Sequence, residues 1–192
     1  MLIQGQRIHM VRFGRQHLDD PAYYGWLRDL DVVRYIGRDE LLAGNPFSEV
    51  EDYVKQLWAN ENCWFFAVYH SESGTFIGTA KINFVNERGR RNGVGDIGIM
   101  LGERGFWGQG LATDVLRTVS KFAFDELGAR KLSAGAMSPN AAVVKAFLRI
   151  GYVEEGRLRQ QLSIEGGYCE HVLLGCFKNE LLQSPLVQTP PY

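Results

Sequence analysis

The sequence predicts an α/β fold with a mixed sheet, and three observations carry that prediction. Short runs rich in aromatic and branched residues alternate with helical periods along the chain. Three strands come consecutively before the pattern returns to helix, strand, helix and two strands. A glycine-rich stretch, ERGFWGQGLAT (103–113), stands between a strand and a long apolar helical pattern.

In chain order, IHMVRF (8–13) alternates like a strand. DDPAYYGWLRD (19–29) follows as a helix, with Asp20 as cap and Pro21 at the first helical position. NPFSEVEDYVKQLWANE (45–61) offers Ser48 and Glu51 as a capping box ahead of Tyr53, Val54, Leu57 and Trp58. CWFFAVYH (63–70) and TFIGTAKINFV (75–85) flank the turn signal SESG and read as a hairpin. DIGIML (96–101) is the next strand. From Leu111, the residues Val115, Val119, Phe122 and Ala123 recur at helical intervals. KLSAGAM (131–137) is a strand and NAAVVKAFLRI (140–150) a helix closed by Gly151. EGG (165–167) joins two final strands.

Composition narrows the function classes. At 192 residues, 45% hydrophobic and 22% charged, the chain suits one folded domain, expected over 1–182, with a flexible Pro-rich tail at 183–192. A formal net charge of -1 provides no general attraction to nucleic acid or an anionic membrane. Cys63, Cys169 and Cys176 form no CxxC pair, which argues against a disulfide framework or a zinc site and for a reducing compartment. The first residues lack the signature of a signal peptide and no apolar run reaches membrane-spanning length, so a cytoplasmic protein is expected. His9, His17, His70 and His171 have no metal-ligand spacing and read as surface or satisfied core positions; no metal is expected. The basic turn ERGRRNG reads as a solvated loop rather than a nucleic-acid contact.

The glycines have a physical reading. A helix start leaves amide N–H groups unpaired and carries the positive end of the dipole, and glycine lets an anion approach the backbone without meeting a Cβ. Gly105, Gly108 and Gly110 are therefore expected to form a phosphate cradle, with Arg104 adding charge and Trp107 anchoring the loop to the sheet. A Walker loop is unsupported, because no Lys-Ser/Thr pair follows.

The segment DIGIMLGERGFWGQGLATDVL, followed by LGARKLSAGAMSPNAAVVKAFLRIGYVEEGRLR, resembles the acyl-CoA-binding half of the GNAT superfamily of N-acetyltransferases, in the branch of ribosomal-protein N-terminal and sugar or antibiotic acetyltransferases. The resemblance is strong over about 93–160 and looser before it. It implies a mostly antiparallel mixed sheet, a splayed central strand pair, about four flanking helices, and acetyl-CoA as acyl donor. The donor would contact Ile99, Met100, Leu101, Arg104, Gly105, Phe106, Trp107, Gly108, Gln109, Gly110, Leu111 and Ala112, with Asn140 near the thioester and Lys145 at the adenosine phosphates. Gly105 stands where the family's loop commonly has Gln or Arg. Asn140 read by itself is a helix cap, and both roles are compatible.

Attack of an amine on a thioester requires removal of a proton and an oxyanion donor. The resemblance makes Asp96 the base, directly or through water, and an unpaired amide near Met100 the donor; read alone, Asp96 is a solvated strand-end carboxylate. Phe147 and Val143 occupy the family's usual acid positions and cannot donate, whereas a thiol with pKa of about 8.5 can leave without an acid. Tyr152 reads as core. Arg34, Tyr35 and Arg38 are the expected acceptor contacts, the acceptor being a small-molecule amine, preferably an amino sugar that could be nucleotide-linked. Protein N termini, antibiotics and a noncatalytic acyl-CoA-binding role are the alternatives, and a homodimer is compatible with the resemblance.

Overall fold

The computed structural model describes residues 1–37, 44, 46–84 and 90–182. Its strands are β1 (Leu2–Gln4), β2 (Ile8–Arg12), β3 (Cys63–His70), β4 (Phe76–Asn83), β5 (Val94–Leu101), β6 (Lys131–Met137), β7 (Val153–Ile164) and β8 (Gly167–Phe177). Its α-helices are α1 (Arg15–Leu18), α2 (Pro21–Trp26), α3 (Leu30–Val33), α4 (Phe47–Ala59), α5 (Leu111–Asp125) and α6 (Ala141–Arg149). The eight strands form one sheet in the order β1-β2-β3-β4-β5-β6-β8-β7. Every neighbouring pair is antiparallel except β5 and β6, which are parallel and joined through α5.

Both faces of the sheet are covered. Val115, Leu116 and Val119 of α5 and Phe147 of α6 share one core with Phe66, Ile82, Ile97 and Leu132. Phe13, Tyr23, Trp26, Val50 and Val54 share the other with Phe65 and Phe76. Phe13 stacks on Phe65 at 4.4 Å between ring centroids. This double cover explains why β3, CWFFAVYH, is apolar almost without alternation.

Local signals act as expected at several points. Asp20 caps α2 by accepting from the Ala22 amide at 2.9 Å, with Pro21 in the first turn. Gly74 closes the β3–β4 hairpin at φ +67°, and Gly151 closes α6 at φ +101°, with the Glu180 carbonyl where a side chain would begin. Elsewhere the structure differs. The capping box Ser48/Glu51 does not form: α4 begins two residues earlier than a Ser48 cap would set it, at Phe47 after Pro46, whose fixed φ of -64° already orients the first turn. Glu51 instead accepts from Arg15 Nη1 at 2.6 Å. The first-half helical region divides into α1, α2 and α3 because Asp20 and Asp29 each start a new cap. β1, three residues long, is an additional edge strand without a legible period. Val85 of the expected strand 75–85 lies outside the described residues.

Candidate active site

The strands β5 and β6 pair only through Val94–Lys131, Gly95–Leu132 and Asp96–Ser133, then part. Neighbouring peptides of a strand point to opposite edges. The Gly93 carbonyl accepts from the β6 side, from Arg130 and Lys131, while the Gly102 amide donates to Ile77 on the β4 side. By this alternation, the peptide groups of Ile99 and Leu101 face the gap and those of Met100 face β4. Of the three residues expected to offer free backbone groups, Met100 is engaged by register with β4 opposite Thr79, and Ile99 and Leu101 keep theirs toward the gap.

Past β5 the chain makes a 3-10 turn at Arg104–Phe106 and enters α5 at Gly110. Gly108 and Gly110 have φ of +74° and +77°, left-handed conformations that favour glycine, and a Cβ on either would meet open space. The loop is held from several sides. The Trp107 indole donates to the Leu101 carbonyl at 2.8 Å, Gln109 Nε2 to the Gly105 carbonyl at 2.9 Å, and Arg7 Nη1 to the Gln109 carbonyl at 2.8 Å. The amides of 108–112 find no acceptor among the described residues, leaving the α5 dipole end able to receive an anion. Arg104 turns elsewhere: its Nη1 lies 2.8 Å from Asp31 and 3.4 Å from Asp29, bridging to the α3 region.

A cavity of about 830 Å³ runs from this loop through the gap to α2, α3 and α4. Of the residues the sequence singled out, Arg34, Tyr35, Asp96, Ile99, Met100, Leu101, Phe106, Trp107, Gly108, Gly110, Leu111, Ala112 and Asn140 line it. Arg104, Gly105, Gln109 and Lys145 are not in its lining, and Arg38 lies outside the described residues. Lys145 is exposed on α6. Asn140 caps α6, accepting from the Val143 amide at 3.4 Å, and also faces the cavity.

Asp96 stands where β5 and β6 part. Burial raises its pKa, while a hydrogen bond from Ser133 Oγ at 3.3 Å and the nearby charges of Lys81 and His171 oppose that rise. Asn83 is its partner across β4, and the Asn83 Oδ1 is buried without a hydrogen bond among the described residues. His171 is half-buried over Gly135, where any side chain would overlap its ring. Lys81 lies two residues from Asn83 on β4, opposite Gly98, and its Nζ donates to Tyr53 Oη at 3.4 Å. Ser133, Asn83, Lys81 and His171 were not recognised from sequence, because cross-strand neighbours follow from register. Only Lys81 left a trace, as a cation inside an apolar strand.

Phe147 and Val143 line the cavity without a proton to give. The Tyr152 hydroxyl is buried against Ser120 Oγ at 2.8 Å, and burial pushes its pKa well up, as befits a core residue. Arg90 of the basic turn stacks over Trp64 at 4.8 Å, within its own fold. No group of three His, Cys, Asp or Glu among the described residues could hold a metal ion, and no described helix is long and apolar enough to cross a membrane.

Comparison with known proteins adds the family. The acetyltransferase (GNAT) domain matches residues 7–153. A probable N-acetyltransferase of Bacillus subtilis, YjcK, is 27% identical over 125 residues, 65% of this chain and 67% of that protein. The spermidine N-acetyltransferase from Vibrio cholerae, solved with CoA and spermine, superposes with a TM-score of 0.80 at 17% identity, covering 91% of this chain and 97% of that one. RimJ of Mycobacterium smegmatis, solved with CoA-disulfide, gives 0.79 at 16% identity over 96% of this chain and 91% of its own. The splayed strands, the glycine loop and the matched domain agree: the chain belongs to the GNAT family and is an acetyl-CoA-dependent N-acetyltransferase.

Proposed function

We propose that this enzyme acetylates the primary amine of a small acceptor, an amino sugar in free or nucleotide-linked form, acting in the cytoplasm through a single domain over 1–182. In this reading the pyrophosphate of acetyl-CoA lies on the amides of 108–112, and the pantetheine arm follows the gap edge of β5 past Ile99 and Leu101. Asp96 receives the amine's proton. A free amine near neutral pH is mostly protonated, so the base must act before attack, and a carboxylate with a raised pKa accepts a proton more readily than an ordinary one. The amide of Ile99 or Leu101 stabilises the oxyanion, and the thiolate leaves without a dedicated acid, consistent with Phe147 and Val143 at the usual donor positions.

The observation that carries the acceptor reading is the make-up of the cavity beyond Asp96: the tyrosines Tyr23, Tyr35 and Tyr53 beside Arg34 and Lys81. Tyrosine faces suit a sugar ring and the cations suit phosphate oxygens. Spermidine, the substrate in the name of the Vibrio cholerae relative, is a polycation and would meet Lys81 and Arg34 here. The test is thiol release from acetyl-CoA with equal concentrations of nucleotide-linked amino sugars, free amino sugars, polyamines and ribosomal-protein N-terminal peptides. A clear preference for amino sugars is expected; higher kcat/KM with peptides or polyamines overturns the acceptor assignment.

A further inference from the structure

The cavity carries four charged side chains among its described residues: Asp31, Arg34, Lys81 and Asp96. Two of them are already engaged away from the reacting end. Asp31 is bound by Arg104 at 2.8 Å and lies 3.8 Å from Arg34, and Arg34 also stacks on Tyr35 at 4.7 Å. Lys81 is different. It is half-buried, and among the described residues it makes no ion pair and donates one hydrogen bond, of 3.4 Å, to the neutral hydroxyl of Tyr53. A cation withdrawn from water usually finds a counter-charge, and among the described residues Lys81 has none within ion-pair distance.

Strand register shows what lies beside it. Lys81 pairs with Gly98, and Asp96 is the next residue on the same face of β5, so Lys81 and Asp96 are diagonal neighbours. Between them Gly98 presents no side chain, and a Cβ there would meet nothing within 4 Å. The result is a notch one residue wide, with a carboxylate at one wall and an ammonium at the other.

We propose that Lys81 is the specificity-determining residue for the acceptor, which is an amine carrying an anionic group, carboxylate or phosphate, close to its amino nitrogen: the amine lies at Asp96, the body over Gly98, and the anionic oxygens on Lys81. This rests on the small-amine acceptor reading given above, with Asp96 as base, and deepens it, since it sets the charge of the acceptor next to its reacting amine. The same ammonium repels acceptors with a second positive charge near the first.

The test uses the full chain, acetyl-CoA, and matched acceptor pairs that differ only in the anionic group: amino-acid carboxylates against their amides, and amino-sugar phosphates against the free amino sugars. The two sets separate a carboxylate from a phosphate ligand. In at least one set the anionic member is expected to have a kcat/KM at least ~10-fold higher, the value of one charge-assisted hydrogen bond. Lys81→Met should bring that ratio to about one and Lys81→Arg should restore most of it, with acetyl-CoA affinity by calorimetry reporting that each variant is folded. A ratio near one in the unmodified enzyme with both sets overturns the proposal. So does Lys81→Met slowing both members of every pair alike while moving the acid limb of the pH profile, because Lys81 would then act only by keeping Asp96 ionised. Absence of thiol release with any of these acceptors overturns the small-amine acceptor reading itself, a distinct result from release without preference.

Discussion

Replacing Gly110 with Val separates backbone strain from ligand loss, because the protein contains its own control. Gly110 and Gly74 share nearly the same backbone, φ +77° and +67°, and a Cβ on either meets nothing within 4 Å. Gly74 lies in the β3–β4 turn, whereas Gly110 borders the cavity at the start of α5. An L-residue in the left-handed region costs about 1–2 kcal/mol, the upper end applying to a β-branched side chain. For a domain of this length each kcal/mol lowers Tm by about 2–4 °C, so both Gly74→Val and Gly110→Val should melt about 4–8 °C below the parent. Their effects on acetyl-CoA should then diverge. A Val side chain at 110 would enter the open space that the proposed pyrophosphate occupies, and loss of two charge-assisted hydrogen bonds at about 1.5–3 kcal/mol each weakens binding by at least ~100-fold. Gly74→Val should leave affinity unchanged. The assays are differential scanning fluorimetry and isothermal calorimetry with acetyl-CoA. Equal affinity in the two variants would refute the placement of the pyrophosphate on this loop.

The remaining predictions concern the proton, the core and the loop junction. Asp96→Asn should lower kcat by about 10²–10⁴-fold with little change in acetyl-CoA affinity, and the loss should narrow as rising pH supplies free amine; unchanged turnover at neutral pH would make Asp96 a structural carboxylate. Burial raises the pKa of Asp96 in the folded state, so the folded chain binds that proton more tightly than the unfolded one, and stability is lost as pH climbs just above the ordinary carboxylate range. Asp96→Asn should therefore raise Tm at neutral pH and not at a pH of about 3, below the ordinary carboxylate value; a Tm gain equal at both would show that ionisation is not its source. Tyr152→Phe removes the hydrogen bond to Ser120 and should cost about 1 kcal/mol in denaturant melts while turnover stays unchanged, whereas a fall in kcat would assign Tyr152 a chemical role. Gly102→Ala would drive a methyl into the Trp26 indole that seats α2 on the end of β5, costing about 1–3 kcal/mol; an unaltered Tm would show that contact to be loose.

The sequence by itself was enough for the class of fold, most element positions and the glycine loop, and the resemblance carried by its motifs implied the acyl donor. These are local matters. Asp20 and Pro21 supply the cap and first residue of a helix in adjacent positions, glycines at 108 and 110 permit a left-handed turn ahead of a periodic apolar run, and KLSAGAM is a strand over the very residues 131–137 that its composition indicated. Strand periodicity also suggests which residues share a face, but it says nothing about which strand lies opposite or in what register. That was decided in three dimensions. Register turned the Met100 peptide to β4 and left Ile99 and Leu101 at the gap, set Asp96 at the fork between Asn83 and Ser133, and brought Lys81 across from Gly98. Arg104, which in the chain adjoins the loop glycines, is drawn to Asp29 and Asp31 because folding sets those carboxylates beside it, 75 and 73 positions earlier in the chain. Side chains interact through space over a few ångströms, and a linear sequence records separation along the chain, so a site assembled from β4, β5, β6 and β8 becomes visible only when the sheet is formed.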